Sequence, residues 1–325
     1  MMLNNVIKAA VVGCLVGFAT AAAAEPVALR FATVGIGSSW YNYGAGIADL
    51  VKPKLPEGSS IDVLPIAGGV GNMKLIQNGE TEFAIGFSTT SAEACKGFGN
   101  FDQKLDKIRG VLGGLDTYYF GTFVRKSSSA KSWQDIVDAK DGFKLLTAKV
   151  GGTGESTVRQ VLALADSSKE AIAGKGGSVL AMARTATASA IADGKADGWA
   201  HVVTRGHPAA TQLTTVSEMR VLPLPDDIIE GMVTKNGFSR ATLPAGTFKG
   251  QDEPVKTVKT SSNIMVRADV PEDIVYTFTK TVFENIDKVK KIHAALSDFD
   301  AKNAVAPELV GNCPFHPGAV RYYKA

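Results

Sequence analysis

Apolar and polar positions alternate from Leu29 through Thr33, and β-branched Val34 follows, which predicts a strand. Gly35-Ile36-Gly37 breaks it. Ser38 and Ser39 are good helix-capping residues, and Tyr43, Ile47 and Leu50 then recur at helical spacing. The same strand–turn–helix sentence repeats along the chain. Ser60–Ile66 reads as a strand, Gly68-Gly69-Val70-Gly71-Asn72 as its turn, and Met73, Leu75 and Ile76 as the apolar face of a helix ending at Gly79. Glu82–Phe87 is a third strand, released into Ser88-Thr89-Thr90-Ser91. Ile108–Leu112 and Phe120–Arg125 are further strands, and Trp133–Val137 is a short helix. Phe143–Val150 ends in Gly151-Gly152-Thr153-Gly154-Glu155-Ser156-Thr157, before a helix with Val158, Val161, Leu162 and Leu164 inward. Ser178–Ile191 reads as one alanine-rich helix ending at Gly194, followed by a short strand at Ala196–Ala200 and a helix opened by Pro208. Val255–Val266 is extended, and Pro271 opens a long helix to Ile286.

Strands alternating with helices predict a mainly parallel α/β sheet. In such a sheet the ligand crevice lies beyond the carboxyl ends of the strands. Helix starts there present free backbone N–H groups and about half a positive charge, a setting for a carboxylate or phosphate. The turn at 151–157 is not a nucleotide-binding P-loop, because Glu155 stands where the lysine is required and the spacing is wrong.

Length and composition then set the scale. The chain has 325 residues, 45% hydrophobic and 21% charged, which suffices for two α/β lobes. A net charge of +3 with no basic run argues against nucleic acid. The first 24 residues form a signal-peptide pattern: Lys8, then the apolar and small run Ala9–Ala24, with cleavage expected before Glu25. Cys14 follows Lys8 too closely for a lipoprotein box. A periplasmic location is therefore expected, and the mature chain keeps Cys95 and Cys313, which either pair there or stay as buried thiols. Cys313 and His316 are two ligands at metal-like spacing and do not make a closed site, so no metal is expected. There is no GxSxG elbow, no HExxH and no complete GxGxxG with its acidic partner, so neither an enzyme nor a cofactor is expected. His201 and His207 lie near a predicted strand end, where one of them can touch a ligand. Arg205 and Arg159 are the candidate charges for a carboxylate.

Several of these pieces, in this order, resemble the TAXI family of TRAP transporter solute-binding proteins. They are the glycine/serine turn with Trp40-Tyr41 and Gly44, Gly68-Gly69 to Asn72, Leu75–Gly79 with Glu82–Ile85, and Val150–Gly154. Gly194–Gly198, Arg267–Asp273 and the terminal Pro314–Tyr323 complete the series. The turns GIGSSWYNYG and FSTTSAE depart from the family pattern on the expected ligand loops. The resemblance implies a two-lobed periplasmic binding protein of type II-like build. It captures a small organic anion or amino acid, and it delivers that solute to TRAP membrane subunits driven by an ion gradient. The expected layout is a first lobe of residues 25–120 and 258–325 and a second of 121–257, in a monomer hinging near Tyr118–Phe123 and Val255–Ile264.

The anionic group is expected between Gly37-Ser38-Ser39-Trp40-Tyr41 and Thr153-Gly154-Glu155-Ser156. Asn72, Ser88 and Thr89 are expected to add hydrogen bonds, His201 and Arg205 to lie at the ligand, and Trp40 or Tyr41 to cover an apolar part of it.

Overall fold

The computed structural model describes residues 25–36, 38–66 and 68–325, so the leader and Gly37 lie outside the described residues. The chain builds two α/β lobes, each around its own sheet. The first sheet takes β1 (Ala28–Ala32), β2 (Ser60–Leu64), β3 (Phe83–Phe87) and β4 (Ile108–Leu112). The chain then enters the second sheet with β5 (Tyr118–Arg125), β6 (Lys144–Thr147), β7 (Ser178–Ala181), β8 (Gly198–Val203), β9 (Met219–Leu222), β10 (Ser239–Leu243) and β11 (Val255–Thr260). It returns to the first with β12 (Ser262–Arg267). The orders are β2-β1-β3-β12-β4 and β10-β11-β5-β8-β6-β7, with β9 on β5.

Both sheets are mixed, where the strand–helix alternation predicted mainly parallel ones. β12 runs antiparallel to β3 and β4, and β5 runs antiparallel to β8, β9 and β11. These are the strands that carry the chain between the lobes. The single extended run at 255–266 is therefore two strands in different sheets, separated at Ser261. The passages lie at 113–117 and Ser261, so the boundaries expected at 120/121 and 257/258 fall inside β5 and β11.

Helices cover the sheets. In the first lobe these are α1 (Ser39–Val51), α2 (Gly69–Asn78) and α3 (Ser88–Lys96). The second lobe holds α4 (Trp133–Val137), α5 (Thr153–Leu164), α6 (Lys169–Gly174), α7 (Arg184–Ala192), α8 (Pro208–Val216) and α9 (Asp226–Asn236). The first lobe is completed by α10 (Glu272–Glu284), α11 (Ile286–Ile292) and α12 (Pro317–Tyr323). The expected long helix from Pro271 is α10, which ends at Glu284, whereas 178–191 splits into β7 and α7.

α1 shows how sequence becomes packing. Ser38 caps it by accepting from the Tyr41 N–H at 3.2 Å, and Trp40, Tyr43, Ile47 and Val51 form its buried stripe. Phe31, Phe83 and Phe278 meet behind it, the last two stacked at 4.4 Å. Full burial of such a side chain is worth about 1.5–3 kcal/mol. The second lobe has its own core, where Phe123 packs on Trp199 at 5.6 Å and on Phe248 at 5.3 Å.

A polar knot fastens the passages between lobes. Asp116 Oδ1 accepts from the Ser262 N–H at 3.0 Å, and its Oδ2 accepts from the Tyr43 hydroxyl at 2.8 Å. Trp40 Nε1 donates to Ser262 Oγ at 2.8 Å. Burial pushes the Asp116 carboxyl up to about 6, against those two hydrogen bonds, which hold it down.

Cys95 on α3 is bonded to Cys313, with Cα atoms 5.6 Å apart, so the paired alternative is the one realised. The bond pins the segment before α12 to α3 across 218 residues of sequence. Closing so long a loop restricts the unfolded chain, which is worth about 2–4 kcal/mol. The Cys95→Ala/Cys313→Ala double variant should therefore unfold at lower denaturant by that amount, and reductant should lower the melting temperature of the wild type alone. Equal stability of the two proteins would show that the crosslink contributes nothing.

Candidate functional site

A cavity of about 560 Å³ lies between the lobes, beyond the carboxyl ends of their strands. The first lobe contributes the β1–α1 turn with Ser38, Ser39 and Trp40, the β2–α2 turn with Pro65, Ile66, Gly68 and Gly69, and the Phe87 ring. The second contributes the β6–α5 turn with Lys149, Val150, Thr153 and Gly154, the β7–α7 turn with Ala183, Arg184 and Thr185, and His201 and His207 around β8 and α8. Tyr118 stands at the passage between lobes. The starts of α1, α2, α5 and α7 all open onto this space, two from each lobe.

Among the described lining residues there is no carboxylate. Arg184, the first residue of α7, is partly buried and has no ion pair; burial lowers its pKa, and the nearby Tyr118 hydroxyl opposes that shift. A guanidinium stays charged regardless. Among the described residues, two hydroxyls on the wall lack partners. Thr153 Oγ1 makes no hydrogen bond, and Ser39 Oγ sits beside the Tyr43 and Tyr118 hydroxyls without a bond of proper geometry. Ser39 is 3% exposed and Thr153 7%. Leaving a buried polar group unpaired costs about 1–3 kcal/mol, so both are poised for a partner in the cleft.

The histidines are neutral. His201 Nδ1 lies 2.8 Å from the Val202 carbonyl, which can only accept, so the proton sits on Nδ1. His207 Nδ1 accepts from the Ala210 N–H at the start of α8, which leaves its proton on Nε2. The rings are 5.7 Å apart. Burial pushes His201 well down, helped by its neighbours His207 and Arg184, and burial followed by the Arg184 charge pushes His207 down to about 3.

Of the residues singled out in the sequence, Ser38, Ser39, Trp40, Thr153, Gly154, His201 and His207 line the cleft. The other described candidates stand off it, each for a definite reason. Asn72 Oδ1 accepts from the Gly68 N–H at 2.8 Å while its Nδ2 donates to the Ile85 carbonyl at 2.8 Å, so it shapes the β2–α2 turn from behind. Ser88 and Thr89 are turned to Thr260 Oγ1, at 3.0 and 3.3 Å. Glu155 is buried against Arg159 and Lys169, and Ser156 Oγ donates to the Thr153 carbonyl. Tyr41 is half-buried on α1 outside the cavity. Arg205 is exposed and faces Asp298 at 3.8 Å, and Arg159 bonds Asn100. Sequence reasoning missed Arg184, because it placed that residue in mid-helix.

The lobes touch across the cleft. Gln160 Nε2 donates to Glu93 Oε1 at 2.9 Å, and Arg159 Nη2 donates to Asn100 Oδ1 at 2.8 Å, joining α5 to α3 and the turn after it. Gly69, at φ +47°, comes so near Thr153 that a Cβ there would lie 2.6 Å from Thr153 Oγ1. Gly154 is likewise bare where a Cβ would lie 2.8 Å from the His201 ring.

The neutral histidines set a pH dependence. In the unfolded chain His207 takes up a proton near 6.5, whereas in the fold it does so near 3. Its contribution is therefore complete above 6.5 and is lost as pH falls. Wild type should lose about 1 kcal/mol more stability than His207→Asn between about pH 7.5 and 5.5. Asn retains a capping acceptor, and Asp116, which titrates in the opposite sense, is common to both proteins. Matching pH profiles in chemical denaturation would mean that the folded imidazole protonates freely.

The comparison with curated proteins returned no match. Solved structures are similar over nearly the whole chain. MatC from Rhodopseudomonas palustris with bound malate shares 13% identity and a TM-score of 0.57, covering 92% of this chain and 98% of that one. XAC2383 from Xanthomonas citri bound to chloride ion shares 11% and 0.52, covering 91% and 99%. A binding protein component of an ABC phosphonate transporter from Pseudomonas aeruginosa shares 11% and 0.51, covering 84% and 80%. At these identities the likeness is one of fold alone, a two-lobed α/β architecture. The model of the NMT1-like family matches residues 31–325, from the middle of β1 to the last residue, and the chain belongs to that family.

Proposed function

We propose that this protein is a periplasmic solute-binding protein, not an enzyme. It captures a small organic anion between its lobes and delivers it to a membrane transporter of the TRAP type, as a TAXI-like subunit. The observation that carries the reading is the cleft itself: an unpaired Arg184, two buried hydroxyls without partners and several helix starts, with no carboxylate on the wall. A buried cation with open donors around it is a site for an anion. Arg184 and Thr153 from the second lobe then meet Ser39 from the first over the bound group, so the solute itself holds the lobes together. Similar folds with bound malate and bound chloride, and one from a phosphonate transporter, support the anionic class. The leader pattern supports delivery by an exported protein.

Thermal shift followed by calorimetry across carboxylates, phosphonates and sulfonates tests this reading. A binder should appear that stays chemically unchanged. Arg184→Ala should weaken it roughly ten- to hundred-fold, as loss of a charged hydrogen bond costs about 1.5–3 kcal/mol. Ser156→Ala, whose hydroxyl is spent on the Thr153 carbonyl, should bind as wild type does. Wild-type affinity in Arg184→Ala, or turnover of the bound compound, would sink the proposal.

A further inference from the structure

The cleft is not uniformly polar. Six large hydrophobic side chains are exposed among the described residues, and three of them, Ile36, Ile66 and Val150, converge on this one cavity from three separate turns. Ile36 is 76% exposed and Val150 78%, so they stand at its mouth, whereas Arg184 lies beside the buried Tyr118, His201 and His207. Scattered exposed hydrophobics are ordinary, but a convergent set at a cleft is a contact surface. Trp40 and Phe87, 4.5 Å between centroids, continue the apolar wall inward.

Charge tells the same story. The inner cavity holds one cation. His201 and His207 are neutral and add donors or acceptors without charge. Lys149 is exposed at the rim beside Val150, a hydrated ammonium in high dielectric, and such a charge gives little to an ion pair. A dicarboxylate drawn into this space would bury a second charge with no second side-chain cation inside to pair it. The volume of about 560 Å³ falls within the roughly 300–1,000 Å³ of sites that enclose drug-sized ligands, well beyond the needs of a four-carbon acid.

Resting on the anion-binding reading, we infer that the solute is a singly charged amphiphile. Its one carboxylate is held by Arg184, Ser39 and Thr153, and its aliphatic or aromatic body leads outward past Trp40 and Phe87 to Ile36, Ile66 and Val150. The apolar rim closes over that body when the lobes meet, which removes from water both the ligand's hydrocarbon and three exposed side chains of the protein. Selection against small dicarboxylates follows from the missing second cation.

Calorimetry with hexanoate and phenylacetate on one side, and succinate and malate on the other, reads this directly. At least one monocarboxylate should bind ten-fold or more tighter than either dicarboxylate. Val150→Ser and Ile36→Ser should each weaken that binding roughly three- to ten-fold, as loss of apolar contact area predicts, with no change in unliganded melting temperature. Tighter binding of succinate or malate, lost in Arg184→Ala, would overturn the amphiphile while leaving the binding-protein reading intact. Unchanged affinity in both serine variants would also overturn it. If none of the four carboxylates binds, the amphiphile falls, and the binding-protein reading falls with it only if phosphonates and sulfonates fail as well.

Discussion

The buried carboxylate of Asp116 is the fixture on which the two-lobed arrangement rests. Only two stretches of chain join the sheets, and Asp116 sits in one while accepting a hydrogen bond from Ser262, which begins the strand after the other. Its second oxygen accepts from Tyr43 on α1, and Trp40 of the same helix donates to Ser262. The helix whose first turn opens onto the cleft is thereby tied to the point about which the lobes must turn. Buried polar groups are tolerable only when every member is paired, and this knot meets that condition through named bonds. Movement at the passages must therefore carry the β1–α1 turn with it.

The cleft inverts that logic. Asp116, Tyr43, Trp40 and Ser262 satisfy one another through named bonds, whereas Arg184, Ser39 and Thr153 are left open among the described residues. Unsatisfied groups of this kind cost stability in the empty protein and return it on binding, which couples ligand capture to closure. The bonds from Gln160 to Glu93 and from Arg159 to Asn100 supply a shallow latch, and the bare Gly69 lets the facing turns approach. On the proposed function, a solute that bridges the lobes would add the deciding term to this balance.

Much of this was written in local sequence. The starts of α1, α2 and α5 were legible because serine, glycine and threonine follow apolar runs there, and those turns do reach the cleft. The side chains one turn further in were not legible. Glu155 and Ser156 share the α5 start with Thr153, but helical rotation and local bonds turn them to Lys169, Arg159 and the Thr153 carbonyl. Asn72 looked like a ligand donor because its own partners, the carbonyls of Thr33 just past β1 and of Ile85 on β3, lie 39 and 13 residues away in sequence. Arg184 was hidden by composition. Ser178–Ala181 and the helix after it form one alanine-rich stretch with no glycine or proline between them, so the strand end at Ala181 left no local mark. Pairing of β7 with β6, a tertiary event, sets that boundary and makes Arg184 a first-turn residue facing the cavity. The change of sheet at Ser261 was invisible for the same reason, since extended backbone continues through it while the hydrogen-bonding partners change.

The most direct test of the account is a crystal structure with the natural solute bound. It should place the anionic group within hydrogen-bond distance of the Arg184 guanidinium, Ser39 Oγ and Thr153 Oγ1, with α5 and α3 still joined through Gln160 and Glu93. A solute seated between the lobes with its charge away from Arg184, or bound outside the cleft altogether, would contradict it.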